Sequence, residues 1–394
     1  MKKLNGTLRL AFTFTLAAFL GGCMTNKPYT PVQRSMPGDT ESASLQVMLD
    51  QTIDEFGLPG VQVGILRSGQ SPLIASSGTV DREHQKAAIN EHSSFRVGST
   101  TKMFVAALMC RLAERNVVSL DDTIDRWFPA FPQASTIRVR DLLHQTSGIK
   151  ESLFSDPWTL IVSMLNPRKL WNPEGIMRTL GKSAKPAQPG ARVFSYANDN
   201  YVLLGIIAEK AAGAGLASLL EREFFVPLGM EDTALLPWAS RLTNGPVPGY
   251  DEYIPLGPHL IASDQTSWDS LAFSAGAMSS SAHDLLIWLD SLFHGRVVSE
   301  ESLKLMRGWG DARNNGRDES MVEYGLGLSR YDLGEAMLEG HPGGGFGGEC
   351  FPFYDSSSDT SYVVQYNVSR KDNPAGKAIL KRLLESEARA RTGS

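Results

Sequence analysis

A serine hydroxyl becomes a nucleophile only when a neighbouring base takes its proton, and Ser99-Thr100-Thr101-Lys102 places a hydroxyl and an amine three residues apart. Met103, Phe104, Ala106, Ala107, Leu108 and Leu112 follow with helical spacing. Ser99 is therefore expected at or near a helix start, with Lys102 one turn later on the same face. To act as the base the amine must be neutral. From an ordinary value near 10.4 this costs roughly 4 kcal/mol at pH 7, which burial and the positive end of the helix dipole can supply. The helix start also offers backbone N–H groups to a developing oxyanion. Alone the spacing is a weak signal, because an N-capping serine beside a surface lysine gives the same letters.

Two further stretches carry polar groups in positions suited to a site. Tyr196-Ala197-Asn198 lies just before the helical run Val202 to Ala212, and His341-Pro342-Gly343 ends a short strand and runs into a glycine cluster, Gly344 to Gly348. Such a cluster lets a backbone approach a ligand closely. Other candidates are weaker. Ser147 has only Lys150 as a basic neighbour at one turn, and no helix starts there. His144 and His283 fall in helical patterns, as surface or supporting groups. The seven histidines lack metal-ligand spacing and the glycine cluster lacks the Lys-Ser/Thr ending of a phosphate loop, so neither a metal nor another cofactor is expected. Trp127, Trp158, Trp171, Trp238 and Trp268 are expected to pack the helical half, with one or two reaching the cleft.

These groups need a scaffold. Leu45, Met48, Leu49, Ile53 and Phe56 trace one helical face, ended by Gly57 and Pro59. Val61, Val63 and Ile65 alternate as a strand, and Leu73 to Ser76 returns as its hairpin partner. From Leu120 to about Ala272 the pattern is mainly helices and long loops. Ala282 to Phe293 is helical, and strands are predicted at Tyr324 to Tyr331, Ala336 to Gly340, Glu349 to Tyr354 and Tyr362 to Asn367. A last helix starts at Asn373-Pro374 and buries Ile379, Leu380, Leu383 and Leu384. Strands from both chain ends around a helical middle predict an α+β domain over residues 43–392, its antiparallel sheet from about 43–98 and 275–392, its helical part from about 99–274.

Read in the order Ser-x-x-Lys, Tyr-x-Asn, His-x-Gly, the chain resembles the penicillin-recognising serine hydrolases, particularly the class C β-lactamase-like family with its DD-peptidases and esterases. Supporting stretches are Ser119 to Ile124, Leu142 to Ile149, Pro227 to Thr233 and Ser274 to Ser280. The resemblance covers roughly Ser44 to Arg382. It implies a sheet with flanking helices plus a mainly helical subdomain, and hydrolysis of amides or esters, such as a small molecule or cell-wall peptide, through an acyl-Ser99 intermediate. Lys102 and Tyr196 would form the base system, Asn198 would hold Lys102 and the substrate amide, and His341 and Gly343 would bind substrate. The oxyanion would sit on the backbone N–H groups of Ser99 and Gly344. A small-ester esterase and a catalytically silent binding lipoprotein are the alternatives.

The third motif departs from β-lactamases, which carry lysine-threonine-glycine there. His341 is half or less protonated at neutral pH unless perturbed, and Pro342 offers neither hydroxyl nor N–H. A substrate carboxylate then has a weaker anchor, and efficient β-lactam hydrolysis is not expected. Pro342 also predicts that its strand is an edge bordering the cleft. Substrate choice is expected to rest with His341, Pro342 and the loops of the helical half.

The chain opens with Lys2, Lys3 and Arg9 ahead of an apolar core from Leu10 to Leu20, the pattern of an export signal over residues 1–22. Leu20-Gly21-Gly22-Cys23 resembles the bacterial lipobox, which implies cleavage before Cys23, lipid on that residue and a Pro-, Thr- and Ser-rich tether over 23–42. Met24 after the cysteine points to the periplasmic side of the outer membrane. Loss of three basic residues and no acidic one takes the formal charge from -5 to -8, so nucleic acid is not an expected partner. Cys110 and Cys350 remain, and Cys110 falls in the apolar run after Lys102, where a buried free thiol is expected. Replacing Cys23 by serine should move the protein from the membrane pellet to the soluble fraction; unchanged fractionation rejects the anchor.

Overall fold

The computed structural model describes residues 39–392, apart from 81–87, 174, 178–192, 239–244, 253–258, 262–264, 314, 315, 317, 346 and 371. The expected signal peptide, Cys23 and most of the expected tether lie outside these residues. The first helix, α1 (Asp39–Phe56), begins inside the range assigned to the tether, so residues 39–42 are helix instead.

Nine strands form the main sheet: β1 (Gly60–Arg67), β2 (Leu73–Gly78), β3 (Gly310–Asp311), β4 (Met321–Tyr324), β5 (Ser329–Asp332), β6 (Met337–Gly340), β7 (Gly343–Gly345), β8 (Gly348–Asp355) and β9 (Thr360–Tyr366). Their order is β2-β1-β9-β8-β6-β5-β4-β3, with β7 paired to β8, and every pairing is antiparallel. The N-terminal hairpin thus docks directly on the C-terminal strands, with Val63 opposite Val364. Two short three-stranded sheets stand apart, one joining 95–96, 278–280 and 234–235, the other joining 249–251, 259–261 and 368–369. Strands 234–235, 249–251 and 259–261 interrupt the stretch expected to be helix and loop.

Period-2 alternation sends the sheet's side chains to two cores. Val61, Val63 and Ile65 of β1 with Tyr362, Val364 and Tyr366 of β9 meet Leu45 and Leu49 of α1 and Ile379, Leu380 and Leu383 of the last helix. Val363, Cys350 and Tyr354 face the opposite core. At the centre of that second core runs α2 (Thr101–Glu114), buried continuously from Thr101 to Cys110. A helix apolar on all sides must be surrounded. It is, by α3 (Asn198–Ala212), α4 (Thr266–Gly276) and α5 (Ala282–Phe293), α5 having the bounds the sequence predicts. Cys110 and Cys350 are both buried free thiols.

Two strand expectations change. Tyr324 to Tyr331 is a reversal rather than one strand: β4 ends at Tyr324, β5 begins at Ser329, and Gly327 turns between them at φ 69° against the carbonyl of Lys102. The strand before Pro342 is interior, lying between β8 and β5; Pro342 comes after its end, where its missing N–H interrupts no ladder.

Phe104 of α2 stacks on Trp288 of α5 with ring centroids 3.7 Å apart and meets the edge of Phe225. Both members of the stack are fully buried. Phe104→Ala should cost about 3–5 kcal/mol of unfolding free energy in a urea titration; a loss below about 1 kcal/mol would show that this core repacks.

Candidate active site

Ser99 lies in a 3-10 turn, Gly98–Thr100, that leads into α2. The hydroxyls of the next two residues hold it. Thr100 donates to the His341 carbonyl at 2.9 Å, Thr101 donates to the Gly98 carbonyl at 2.7 Å, and Thr101 accepts from Met278 N–H at 3.1 Å. Behind the turn, Arg96 forks onto the buried Asp269 at 2.8 and 2.9 Å. The turn abuts β7 so tightly that two glycines are required. A Cβ on Gly343 would lie 2.5 Å from Ser99 N, and one on Gly98 would lie 2.7 Å from Gly344 N. Gly98 also needs its φ of 51°. This contact brings together the two backbone nitrogens expected to serve the oxyanion.

The structure brings Ser99, Lys102, Tyr196 and Asn198 into one network. Lys102 is fully buried, and its Nζ donates to Ser99 Oγ at 2.9 Å, Asn198 Oδ1 at 2.8 Å and the Ala275 carbonyl at 2.6 Å. Three acceptors match the three N–H groups of an ammonium. The same distances suit the neutral amine anticipated from sequence, which would donate to Asn198 Oδ1 and the Ala275 carbonyl and accept from the Ser99 hydroxyl. Tyr196 Oη lies 2.9 Å from Ser99 Oγ, and Lys102 Nζ sits 5.0 Å from the Tyr196 ring centroid.

Several supporting groups have no local sequence signature. Glu151 accepts from the backbone N–H of Asn198 at 2.7 Å and from its side-chain amide at 2.9 Å, which fixes the amide with its oxygen toward Lys102. Glu151 is anchored in turn. Its neighbours Ser152 and Leu153 donate to Asp199, whose carboxyl is pushed up to about 6, chiefly by burial and then by the charge of Glu151. The Ala275 carbonyl reaches Lys102 through a break in α4 at Phe273, whose φ of 41° is strained for a bulky residue. Gln145 accepts from Ala197 N–H at 3.0 Å and its carbonyl accepts from Ser195 N–H at 2.8 Å, so the stretch around it holds the Tyr196 loop in place. Ser147 is no rival nucleophile: its buried hydroxyl donates to Asn200 Oδ1 at 2.6 Å.

His341 lies beside this network, but both ring nitrogens are occupied. Nδ1 is 2.8 Å from the Pro342 carbonyl and Nε2 is 3.1 Å from Tyr324 Oη. A carbonyl only accepts, so Nδ1 carries the proton and Nε2 accepts from Tyr324. Burial, followed by the charge of Lys102, pushes the His341 pKa down to about 3. The partial positive charge expected here is absent at neutral pH, and His341 braces Tyr324, which packs edge-on against Tyr196 at 6.4 Å.

Ser99, Tyr196, His341, Pro342, Gly343 and Gly344 line one cavity of about 890 Å³. Its remaining described walls come from residues 318–333, from Glu349 and Phe351, and from Arg370 to Lys381. These belong to the sheet half and the last helix, rather than to the loops of the helical half. No tryptophan is among the described lining residues. His144 instead donates from Nε2 to the Gly308 carbonyl, 2.8 Å away, and His283 pairs with Asp284.

A family model described as Beta-lactamase matches residues 47–384. The D-aminopeptidase of Brucella anthropi is 26% identical over 312 residues, 78% of this chain and 56% of that protein. Esterase EstB of Burkholderia gladioli is 28% identical over 220 residues, 53% of this chain and 55% of the esterase, so the chain spans about half the length of these curated relatives. The crystal structure of D-amino acid amidase from Ochrobactrum anthropi SV3, complexed with L-phenylalanine amide, superposes with a TM-score of 0.77 at 26% identity, over 89% of this chain and 99% of that one.

Neutral, buried His341 has a consequence for acid stability. Between pH 6.5 and about 3 the unfolded histidine binds a proton that the folded one excludes, so this group's contribution is lost as pH falls. By pH 4 the loss should reach about 3 kcal/mol. Denaturant titrations of wild type and His341→Gln at pH 7 and pH 4 check this: the variant should lose less on acidification, and equal losses would refute it.

Proposed function

The chain belongs to the beta-lactamase family, and on that premise we propose that it is a serine hydrolase cleaving small amides and peptides through an acyl-Ser99 intermediate. One observation carries the reading: Ser99 Oγ, open to the cavity, has Lys102 Nζ and Tyr196 Oη both at 2.9 Å. With three acceptors around Lys102, Tyr196 is the better-placed base, and the ammonium stabilises its phenolate. Tyr196 takes the Ser99 proton as Oγ bonds to the substrate carbonyl carbon. The resulting oxyanion is held by the N–H groups of Ser99 and Gly344. Collapse breaks the carbon–nitrogen bond, and the proton held by Tyr196 leaves with the amine. Water then attacks the acyl carbon by the same route, releasing the acid and restoring Ser99.

Similarity to an amidase and an aminopeptidase favours amides, while the esterase relative supports ester turnover by the same site. A neutral His341 gives a substrate carboxylate no cation, which supports weak β-lactam turnover. Residues 43–392 would act as one hydrolase domain. Attachment to the periplasmic face of the outer membrane through lipid on Cys23 is supported by the leader and by Leu20 to Cys23.

Intact-mass analysis after a fluorophosphonate probe should show one adduct on wild type and none on Ser99→Ala; an equal adduct on both rejects Ser99. Tyr196→Phe should lower kcat for an amide roughly 10²–10⁴-fold with its thermal midpoint retained. A loss below about tenfold would assign the base role to Lys102.

A further inference from the structure

Glu349 is a carboxylate inside the cavity that this chemistry does not use. It sits on β8 directly opposite Gly344 of β7, the residue expected to serve the oxyanion. Residues directly opposite in an antiparallel pair point to one face, and a Cβ on Gly344 would lie 3.2 Å from Glu349 Cγ. Glycine at 344 therefore leaves no side chain between the carboxylate and the reaction centre. Phe351, two residues along β8 and on the same face, lines the cavity beside it.

Glu349 is only 7% exposed, and its hydrogen bonds come from neutral donors, the Tyr366 hydroxyl at 2.6 Å and the Arg370 backbone N–H at 3.1 Å. The nearby Arg370 guanidinium is engaged elsewhere, on Glu252 at 2.5 and 2.9 Å and on the Phe56 carbonyl. Among the described residues no cationic side chain forms an ion pair with Glu349. Burial accordingly pushes its carboxyl up to about 7, against the smaller pull of those donors and of Arg370. A buried carboxylate lacking a counter-charge must take a proton or a cation. The described lining as a whole is acidic: Asp318, Glu319, Asp332, Glu349 and Asp372 face Arg370, Lys377 and Lys381, and Lys377 is already paired with Asp318.

We propose that Glu349 holds the free ammonium group of an aminoacyl substrate, so that the enzyme selects amides of α-amino acids with an unblocked amine. This rests on the acyl-Ser99 reading and adds the charge and the end of the substrate that the site accepts. The α-ammonium is one carbon from the carbonyl that bonds to Ser99, and Glu349 is one strand across from the residue holding its oxygen. An N-acylated peptide presents a neutral amide to the same carboxylate and leaves it uncompensated.

The test compares kcat/KM for D-alanine p-nitroanilide and N-acetyl-D-alanine p-nitroanilide in the mature protein. Wild type should prefer the free amine, and Glu349→Gln should shrink that preference roughly 10- to 100-fold, mainly through KM. No preference in wild type, or an undiminished one in Glu349→Gln, overturns the proposal; retained fluorophosphonate labelling of Ser99 would then show that the hydrolase reading stands. Absence of labelling in wild type overturns both. A wild-type measurement covers a variant that fails to fold: D-alanine amide should slow the labelling of Ser99 and N-acetyl-D-alanine amide should not. Equal protection by the two refutes Glu349 as the amine site.

Discussion

Burying the Lys102 side-chain nitrogen is the constraint on which the rest of the structure depends. A charge taken out of water costs several kcal/mol unless it is fully bonded, and Lys102 is fully buried in a helix otherwise lined with apolar side chains. Three of its partners come from three parts of the chain: the turn before α2, the start of α3 and the broken end of α4. Satisfying that nitrogen forces those segments to converge. The same convergence sets the Ser99 hydroxyl between the Lys102 amine and the Tyr196 phenol, the arrangement that the proposed acyl-serine chemistry needs.

A second convergence is steric. β7 reaches the Ser99 turn closely enough that side chains are excluded on both sides, at Gly98 and Gly343. Among the described strands β7 pairs with β8 alone, and β8 is central in a sheet built from both chain ends. The N-terminal hairpin thus supports the β7 side of the candidate site through β9 and β8. Catalytic geometry here is a property of sheet register as much as of the nucleophile helix.

What the sequence discloses divides along the same line. Ser99, Lys102, Tyr196 and Asn198 are legible because each pair lies within one local element, where spacing determines what shares a face or a loop. The helix Ala282 to Phe293 is legible because its apolar period is unambiguous. Glu151, Ala275, Tyr324 and Glu349 are not, since each acts across tens or hundreds of residues and carries no local pattern. Ala275 acts through a carbonyl, which every residue possesses. The partial charge expected of His341 fails for a related reason: residue type gives the ordinary pKa, whereas the value in the fold depends on burial and on Lys102. Similarly, Pro342 correctly marks a strand end, but only the pairing of β6 with both neighbours shows that the strand is interior.

Electrostatics then distinguishes this site from one that grips a carboxylate. Where a lysine in the third motif would present a cation, neutral His341 turns both nitrogens inward, to Pro342 and Tyr324. The basic side chains buried near Ser99 are already engaged, Lys102 on Ser99, Asn198 and Ala275 and Arg96 on Asp269. The described lining residues carry more carboxylates than cations, and Glu349, buried and directly opposite Gly344, forms no ion pair among them. Among the described lining residues the cations are Arg370, paired with Glu252, Lys377, paired with Asp318, and Lys381 on the last helix, whereas a substrate's amino end meets Glu349 directly across from Gly344. On the proposed reading, the direction of binding, and with it the choice between trimming a peptide from its carboxyl or its amino end, follows from a few charges whose states depend on burial rather than on Ser99 itself.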